Sequence, residues 1–342
     1  MAIWLRRLTW FLAVAYPVLL VATWVVFREA GERWWPSAVA LFLPRLGFAL
    51  PILLLAPALF WLHARRWLWT QALALLLVLV PLMGFTFPVL PHAVAGPSVR
   101  VLSFNVNSEL SGAEAVASEI AGHSPDIVVL QESAPWSGIA TALRKRFPTV
   151  VESTQFLLAT RLKLVSSTDP PRLSYYGEAR SPRFMKYVVE TPLGALTLFS
   201  VHPVSPRESF WHLRGQGLKH EIRSGRLFAG AAAKDIEVNA GLRMLQVRTF
   251  AAAAAKESGP TVILGDTNQP DLTATYEDEL GHYGDAFRQA SWGFGYTYPS
   301  RHPWMRIDRI LLGQGLRAAS FEVGCKGVSD HRCVVAELAR AR

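Results

Sequence analysis

Three apolar blocks fill most of the first ninety residues, and each is long enough to cross a bilayer as a helix. Leu8–Phe27 and Trp67–Leu90 carry no charge, and Ser37–Leu62 carries only Arg45. A membrane helix needs about 20 apolar residues to cross a hydrocarbon core of about 30 Å. Pro17, Pro51, Pro57 and Pro81 would disfavour water-soluble helices, but membrane helices tolerate them. Trp10, Trp24, Trp34, Trp35, Trp61, Trp67 and Trp69 lie near the block ends, as in an interfacial aromatic belt. The expectation is a membrane anchor over 1–92 with three transmembrane helices at about 8–27, 40–62 and 67–90. Its rival is a cleaved signal peptide followed by a buried helical domain. The first block exceeds the ~7–15-residue core of a signal peptide, and no small-x-small cleavage site follows it at Arg28-Glu29.

Lys and Arg in short loops set orientation. Arg6-Arg7 and Arg65-Arg66 share one side, expected to be cytoplasmic, while Arg28, Arg33 and Arg45 fall on the other. Three crossings place everything after about Pro91 outside the cytoplasm, giving a multi-pass membrane protein with an extracytoplasmic domain. The Pro91–Ser98 stretch reads as a boundary, with 93–98 as linker and 99–342 as the folded remainder. The anchor takes 7 of the 35 basic and 2 of the 26 acidic residues, so the remainder holds 28 and 24, a net of +4. With that small surplus, a nucleic-acid argument from bulk charge loses most of its force. High hydrophobicity (51%) excludes intrinsic disorder, and two cysteines exclude a disulfide-stapled miniprotein.

Short runs rich in Val, Ile, Leu and Phe recur after the linker: Val99–Phe104, Asp126–Leu130, Phe156–Ala159, Met185–Glu190, Ala195–Val201, Thr261–Leu264, Ile307–Leu312 and Cys333–Leu338. Helical patterns separate some of them, over Glu114–His123, Gly138–Phe147 and Gly241–Lys256. The alternation points to an α/β fold, a β-sandwich with helices on its outer faces.

Polar residues suited to metal or phosphate chemistry sit at the ends of these strands. Asn105, Glu132 and His202 follow three of them, Asp266 and Asn268 follow Val-Ile-Leu-Gly, Asp308 opens Asp-Arg-Ile-Leu-Leu, and Asp330-His331 precede Arg-Cys-Val-Val. Singly, most have a plain structural explanation. Asn105 could cap a turn, Glu132 could cap the helix near Gly138, and Gly-Asp-x-Asn is an ordinary turn. His202 could be a satisfied core histidine, and Asp308 could pair with Arg306 or Arg309. Asp330-His331 resists such a reading, because an adjacent acid and imidazole have little structural purpose before an apolar strand.

Together these residues resemble the endonuclease/exonuclease/phosphatase superfamily of nucleases, sphingomyelinases and inositol-polyphosphate phosphatases. Gly284-Asp-Ala-Phe287 and Gly295-Tyr-Thr-Tyr-Pro299 also resemble family elements. The resemblance spans Val99–Leu338, and it departs at Cys333, where relatives commonly have proline. It implies a four-layer α/β sandwich, two packed mixed β-sheets flanked by helices, with the site at one end. It implies that His331 is the general base, oriented by Asp308, that Asp266 and Asn268 position the nucleophile and the phosphoryl group, and that His202 assists at a phosphoryl oxygen or the leaving group. Phosphate-ester cleavage needs an activated nucleophile and cancellation of phosphoryl charge. Oxygen ligands without a cysteine cluster suit Mg²⁺ or Mn²⁺, so Glu132 is the expected principal ligand, assisted by Asn105 and Asp330.

Arg180 and Arg183, near Lys186, are candidate phosphate contacts or a solvated basic loop. Ser205–Asn239 mixes aromatics (Phe210, Trp211, Phe228) with bases (Arg207, Arg214, Lys219, Arg223, Arg226, Lys234), a composition suited to anionic headgroups or to stacked nucleic-acid bases. Cys325 and Cys333 flank Ser329-Asp330-His331 and are either a disulfide or two buried thiols. Three functions remain open. The favoured one is an anchored phosphoesterase acting on lipid headgroups or other envelope phosphoesters, with the bilayer as partner. The others are a tethered nuclease and a catalytically silent binding module.

Overall fold

The structure, a computed structural model, describes residues 2–87, 96–109, 111–134, 138–207, 209–210, 219, 223–225 and 230–341. The first half of the expected 93–98 linker, the end of the third apolar block and much of Ser205–Asn239, including Trp211, Arg214, Arg226 and Phe228, lie outside them.

Strand runs that are apolar on both faces can be buried on both faces, and they build two mixed sheets. One has the order β13 (Leu316–Gly324), β14 (Cys333–Arg340), β1 (Ser98–Asn105), β2 (Ile127–Gln131), β4 (Phe156–Thr160) and β3 (Thr149–Ser153). The other runs β11 (Gly284–Asp285), β12 (Asp308–Leu312), β10 (Thr261–Asp266), β9 (Gly194–Val201), β8 (Phe184–Thr191) and β5 (Lys163–Thr168). A small hairpin of β6 (Leu173–Tyr175) and β7 (Glu178–Arg180) stands apart. Val101, Val129 and Leu158 meet Leu198, Leu264 and Ile310 between the sheets. On the outer face of the first sheet lie α5 (Ala113–Gly122) and α6 (Ile139–Arg144), through Val116, Ile120, Ile139 and Leu143. Helix α7 (Ala231–Ala254) covers the second sheet with Val247 and Phe250. Four layers result, as the resemblance implied. Helix α7 begins ten residues before the expected Gly241, its first turns packing Ala233 and Ile236 against Trp35 and Ala38 of the N-terminal region.

Topology decides where the polar strand ends go. Strands β1 and β2 are parallel, as are β9 and β10, so their C-terminal ends share one edge of the sandwich. Strands β12 and β14 run antiparallel to β10 and β1, which brings their N-terminal ends to that same edge; Asp266 pairs with Asp308 across the ladder.

The N-terminal region is a helical bundle of α1 (Ala2–Glu29), α2 (Trp35–Ala40), α3 (Leu50–Trp61) and α4 (Leu68–Leu77), the last extended by a π-helical turn through Leu82. Of the described helices, Ile3–Glu29 and Arg65–Leu82 are long and apolar enough to cross a membrane, and Arg45–Trp61 is shorter. The expected second span over 40–62 is therefore corrected to a shorter apolar helix, Arg45–Trp61, which returns the chain from Arg45 beside the domain to the end of the bundle where Ala64 meets Arg6 and Arg7. The chain turns after Ala40, and Arg45 is buried, donating to the Leu82 carbonyl at 2.7 Å and to the Asp271 carbonyl at 2.6 Å. In their most apolar 18-residue stretches, 22% and 28% of the residues are buried. Of the 28 large hydrophobic residues exposed in the described structure, 25 precede residue 88.

The bundle is fastened to the sandwich by polar contacts at the loop edge. Buried Glu32 accepts hydrogen bonds from the Ala274 and Thr275 amides at 3.0 and 2.9 Å. Tyr296 donates to the Met83 carbonyl and Trp304 to the Phe42 carbonyl. Leu272, just after the Asp266 strand, packs among Leu20, Phe27, Leu41 and Leu82. Beneath it, Asp271 accepts from Arg306 at 2.8 Å and Arg309 at 3.1 Å, and Asp285 accepts from the same two guanidiniums at 2.6 and 3.3 Å. Both arginines thus pair with Asp271 and Asp285 and leave Asp308 free for the site.

Burial opposes ionisation of Asp271, but Arg306, Arg309 and Arg288 outweigh it and hold the carboxyl well below the usual carboxylate range. A depressed carboxyl contributes its full stability above its unfolded value of about 4 and loses it as pH falls toward the folded value. Asp271→Asn leaves two guanidiniums under-paired and should cost about 3–5 kcal/mol. Thermal unfolding in detergent should show a lower Tm at neutral pH and a flatter dependence below about pH 4. An unchanged Tm would refute this role.

Candidate active site

Glycine at position 265 permits the approach of β10 to β9. Its φ is +146°, and a Cβ there would collide with the Val201 carbonyl oxygen. The strand then ends in Asp266, buried beneath the cleft. Its Oδ1 accepts from the Asn268 amide at 2.9 Å, and Asn268 Nδ2 donates to the Pro203 carbonyl at 3.0 Å. Glu132 and Asn268 both adopt left-handed backbone, with φ of +52° and +47°, at a cost on the order of 1–2 kcal/mol each. At Glu132 the flanking backbone is held by Ser108 N to Glu132 O at 2.9 Å and Ser133 N to Gln155 O at 3.0 Å. Conformations of this kind persist where the surroundings over-determine them, which is common at functional sites.

The side chains converge. Asn105 Nδ2 donates to Glu132 Oε1 at 3.0 Å and to Asp266 Oδ2 at 3.2 Å. His202 Nε2 stands 3.3 Å from Glu132 Oε1 and 3.6 Å from Asp266 Oδ2. His331 Nδ1 lies 2.9 Å from Asp308 Oδ2, and its Nε2 faces Asp266 Oδ2 at 3.7 Å. Asp308 therefore fixes the ring with Nε2 toward the cleft, the arrangement a general base requires. Asp330 lies at the rim, 3.8 Å from Arg207. Ser329 Oγ donates to the Asn105 carbonyl at 2.8 Å, and a Cys325–Cys333 disulfide closes the segment carrying Asp330 and His331.

Burial works against ionisation of Glu132, but the hydrogen bond and charge of His202, with the Asn105 amide, outweigh it and set the carboxyl at about 2. Asp266 is raised to about 6, chiefly by burial and then by Asp308, against the opposing histidines. Burial disfavours the His331 imidazolium, yet Asp308 and Asp266 raise it to about 10. Several buried carboxylates around one cleft leave negative charge that a cation would offset. Asp266, Asp308 and His331 offer ligand atoms within 4.8 Å of one another, and the oxygen-rich donor set fits a hard divalent ion. Asn105 turns its amide nitrogen toward the carboxylates while its Oδ1 accepts from Asn107 N, so it would ligate a cation only after an amide flip.

A cavity of about 480 Å³ continues from Glu132 and His202, lined also by Ser133, Thr154, Gln155 and Arg183. Gln155 was not legible in the sequence; its Oε1 lies 2.7 Å from His202 Nδ1 and 3.2 Å from Arg183 Nη1. Tyr298 was missed as a site residue, although its segment stood out; its ring lies against His331 at 4.7 Å between centroids. Arg180 is not brought to the cleft. It sits on β7, where its guanidinium pairs with Glu178.

The profile of one protein family, Endonuclease/Exonuclease/phosphatase, matches residues 102–331, from within β1 to His331. Similar solved structures include an endonuclease/exonuclease/phosphatase from Beutenbergia cavernae DSM 12333, 18% identical, covering 72% of each chain with a TM-score of 0.51. A D. rerio TDP2 humanised by 14 mutations is 17% identical, covers 71% of this chain and 99% of that one, and has a TM-score of 0.50. A mannosyl-6-phosphatase from Bacteroides thetaiotaomicron VPI-5482 is 14% identical, covers 71% and 100%, and also has a TM-score of 0.50. At such identities these likenesses concern the fold alone. No curated protein matches the sequence. With the profile covering well over half of the chain and taking in every strand end that carries a site residue, the chain belongs to the Endonuclease/Exonuclease/phosphatase family.

Proposed function

We propose that this chain is a membrane-anchored, divalent-metal-dependent phosphoesterase that hydrolyses lipid headgroup or other envelope phosphoesters outside the cytoplasm. Residues 1–92 are read as the anchor and 99–342 as the catalytic domain. The observation that carries the reading is the place of the cleft. At the base of the Tyr298–Met305 hairpin, Tyr298 lies against His331 and its hydrogen-bonded neighbour Trp304 donates to the Phe42 carbonyl of the bundle. Phe210, three residues after the rim residue Arg207, packs edge-to-face on Phe42. Exposed Trp34, Leu43 and Leu46 line this end of the bundle, so the cleft opens where an embedded bundle would leave the bilayer.

In this reading His331, held by Asp308, takes the proton of the attacking water at Nε2. Asp266 and Asn268 orient that water and the phosphoryl group, and His202 stabilises a non-bridging oxygen or the leaving group. Arg183 meets substrate phosphate in the adjoining cavity. Glu132 would hold Mg²⁺ or Mn²⁺, with Asn105 as a ligand once its amide is flipped and Asp330 assisting from the rim. Such an ion supplies charge neutralisation at the phosphoryl oxygens and offsets the carboxylates that otherwise keep His331 protonated. Orientation is supported by the arginines themselves. Arg33 pairs with Asp278 and Arg45 is buried against the domain, whereas Arg6, Arg7, Arg65 and Arg66 mark the far end, as expected for the cytoplasmic side.

Detergent-purified protein is to be assayed with Mg²⁺ or Mn²⁺ against phospholipids, phosphoinositides, plasmid DNA and RNA, with and without EDTA. Chelator-sensitive release from a lipid without nucleic-acid cleavage is expected. Cleavage of nucleic acid alone would make the chain a tethered nuclease, and silence on all substrates would favour a binding module. Glu132→Ala and His331→Ala should each remove most turnover while unfolding remains cooperative. Asp308→Asn should lower kcat on the order of 10²–10⁴-fold, and Arg180→Ala should leave it unchanged. Full turnover in the Glu132 and His331 variants would refute the site.

A further inference from the structure

At the end of the bundle farthest from the cleft, the start of α1 and the turn before α4 enclose a cavity of about 410 Å³. Its walls include Arg6, Arg7, Arg66, Ala64, Trp10 and Trp67. The two tryptophans meet edge-to-face at 5.4 Å, and Arg66 lies over the Trp67 ring at 5.5 Å. Among the described residues no carboxylate pairs with these guanidiniums. Glu29 and Glu32 are the acidic residues before Pro97, and the domain contacts of Glu32 and Arg33 put them at the opposite end. Cations near a helix N-terminus are moreover disfavoured by the helix dipole, and the first turn of α1 contains no acidic residue.

Past Arg7, α1 presents an exposed apolar face of Trp4, Leu5, Leu8 and Phe11 beside this cavity. A basic cavity and an apolar face meeting at one arginine match the two parts of a lipid, an anionic head and an acyl chain. Basic pockets between membrane helices on the cytoplasmic side are suited to anionic headgroups.

We propose that this cavity and the adjoining helix face bind one anionic phospholipid, its phosphate among Arg6, Arg7 and Arg66 and an acyl chain along Leu5, Leu8 and Phe11. The site is separate from the catalytic cleft and rests on the reading of the bundle as a membrane anchor, though not on the assignment of the catalytic residues.

Full-length protein in a non-ionic detergent is examined by native mass spectrometry with phosphatidylglycerol, phosphatidylcholine and inorganic phosphate as separate probes. One phosphatidylglycerol per chain should be retained in preference to phosphatidylcholine. The Arg6→Gln/Arg7→Gln/Arg66→Gln variant should bind it on the order of a hundredfold more weakly, at about fivefold per arginine. Arg65→Gln, whose guanidinium lies over Phe60 outside the cavity, should change binding less than about twofold, since it removes no contact to the headgroup. Equal retention of the two lipids, or retention by the triple variant, would overturn the site. Displacement of the lipid by phosphate at equal concentration would overturn the commitment to a lipid. Flotation with phosphatidylcholine vesicles separates the two readings. A protein that fails to float has lost the anchor reading itself, whereas one that floats without lipid preference has lost only this site.

Discussion

Two buried carboxylates gripping two buried guanidiniums hold this structure together. Asp271 and Asp285 each contact both Arg306 and Arg309, and none of the four can be removed without stranding a charge away from water. The requirement is geometric. It brings the loop after β10, the corner before α8 (Ala286–Ala290) and the start of β12 to one point. Asp308, between the two arginines in sequence, is thereby presented to His331. The Asp271 carbonyl also accepts from Arg45, so the same point joins the N-terminal bundle to the loop that carries Asn268.

Much of the site was legible because it obeys a simple rule of sheets. When a strand is buried on both faces, polar chemistry is confined to its ends, and parallel neighbours send those ends to one edge. Asn105, Glu132, His202, Asp266 and Asp308 each followed from such an end, and the structure sets them in one cleft with His331. Gln155 was invisible because it lies in the short turn between β3 and β4, whose residues carry no periodic signal, and only sheet pairing brings it beside His202. Arg180 failed for the opposite reason. A basic residue near the cleft in sequence found its counter-charge, Glu178, within its own hairpin.

The second apolar block shows the limit of hydropathy. Its composition is that of a span, yet Arg45 interrupts it, and the chain satisfies that charge by bending so that the guanidinium meets carbonyl oxygens of Leu82 and Asp271. Partners 37 and 226 residues away cannot be read from a window of twenty. The exposed strand β5 and the half-buried β13 were missed on similar grounds. Their residues are too polar or too exposed for an apolar run, and pairing with a neighbour makes them strands.

Bundle and cleft thus share one end of the sandwich, with Leu272, Tyr296 and Trp304 linking them. The central claim is that this end lies against a bilayer. Its most direct test attaches a fluorophore at Arg301→Cys, in the exposed turn of the Tyr298–Met305 hairpin, and reconstitutes the protein in vesicles with nitroxide-bearing headgroups. A matching probe at Lys163→Cys, on the opposite edge beside Glu190, gives the reference. Strong quenching at 301 with little at 163 is the predicted result, and equal quenching at both positions would contradict the account.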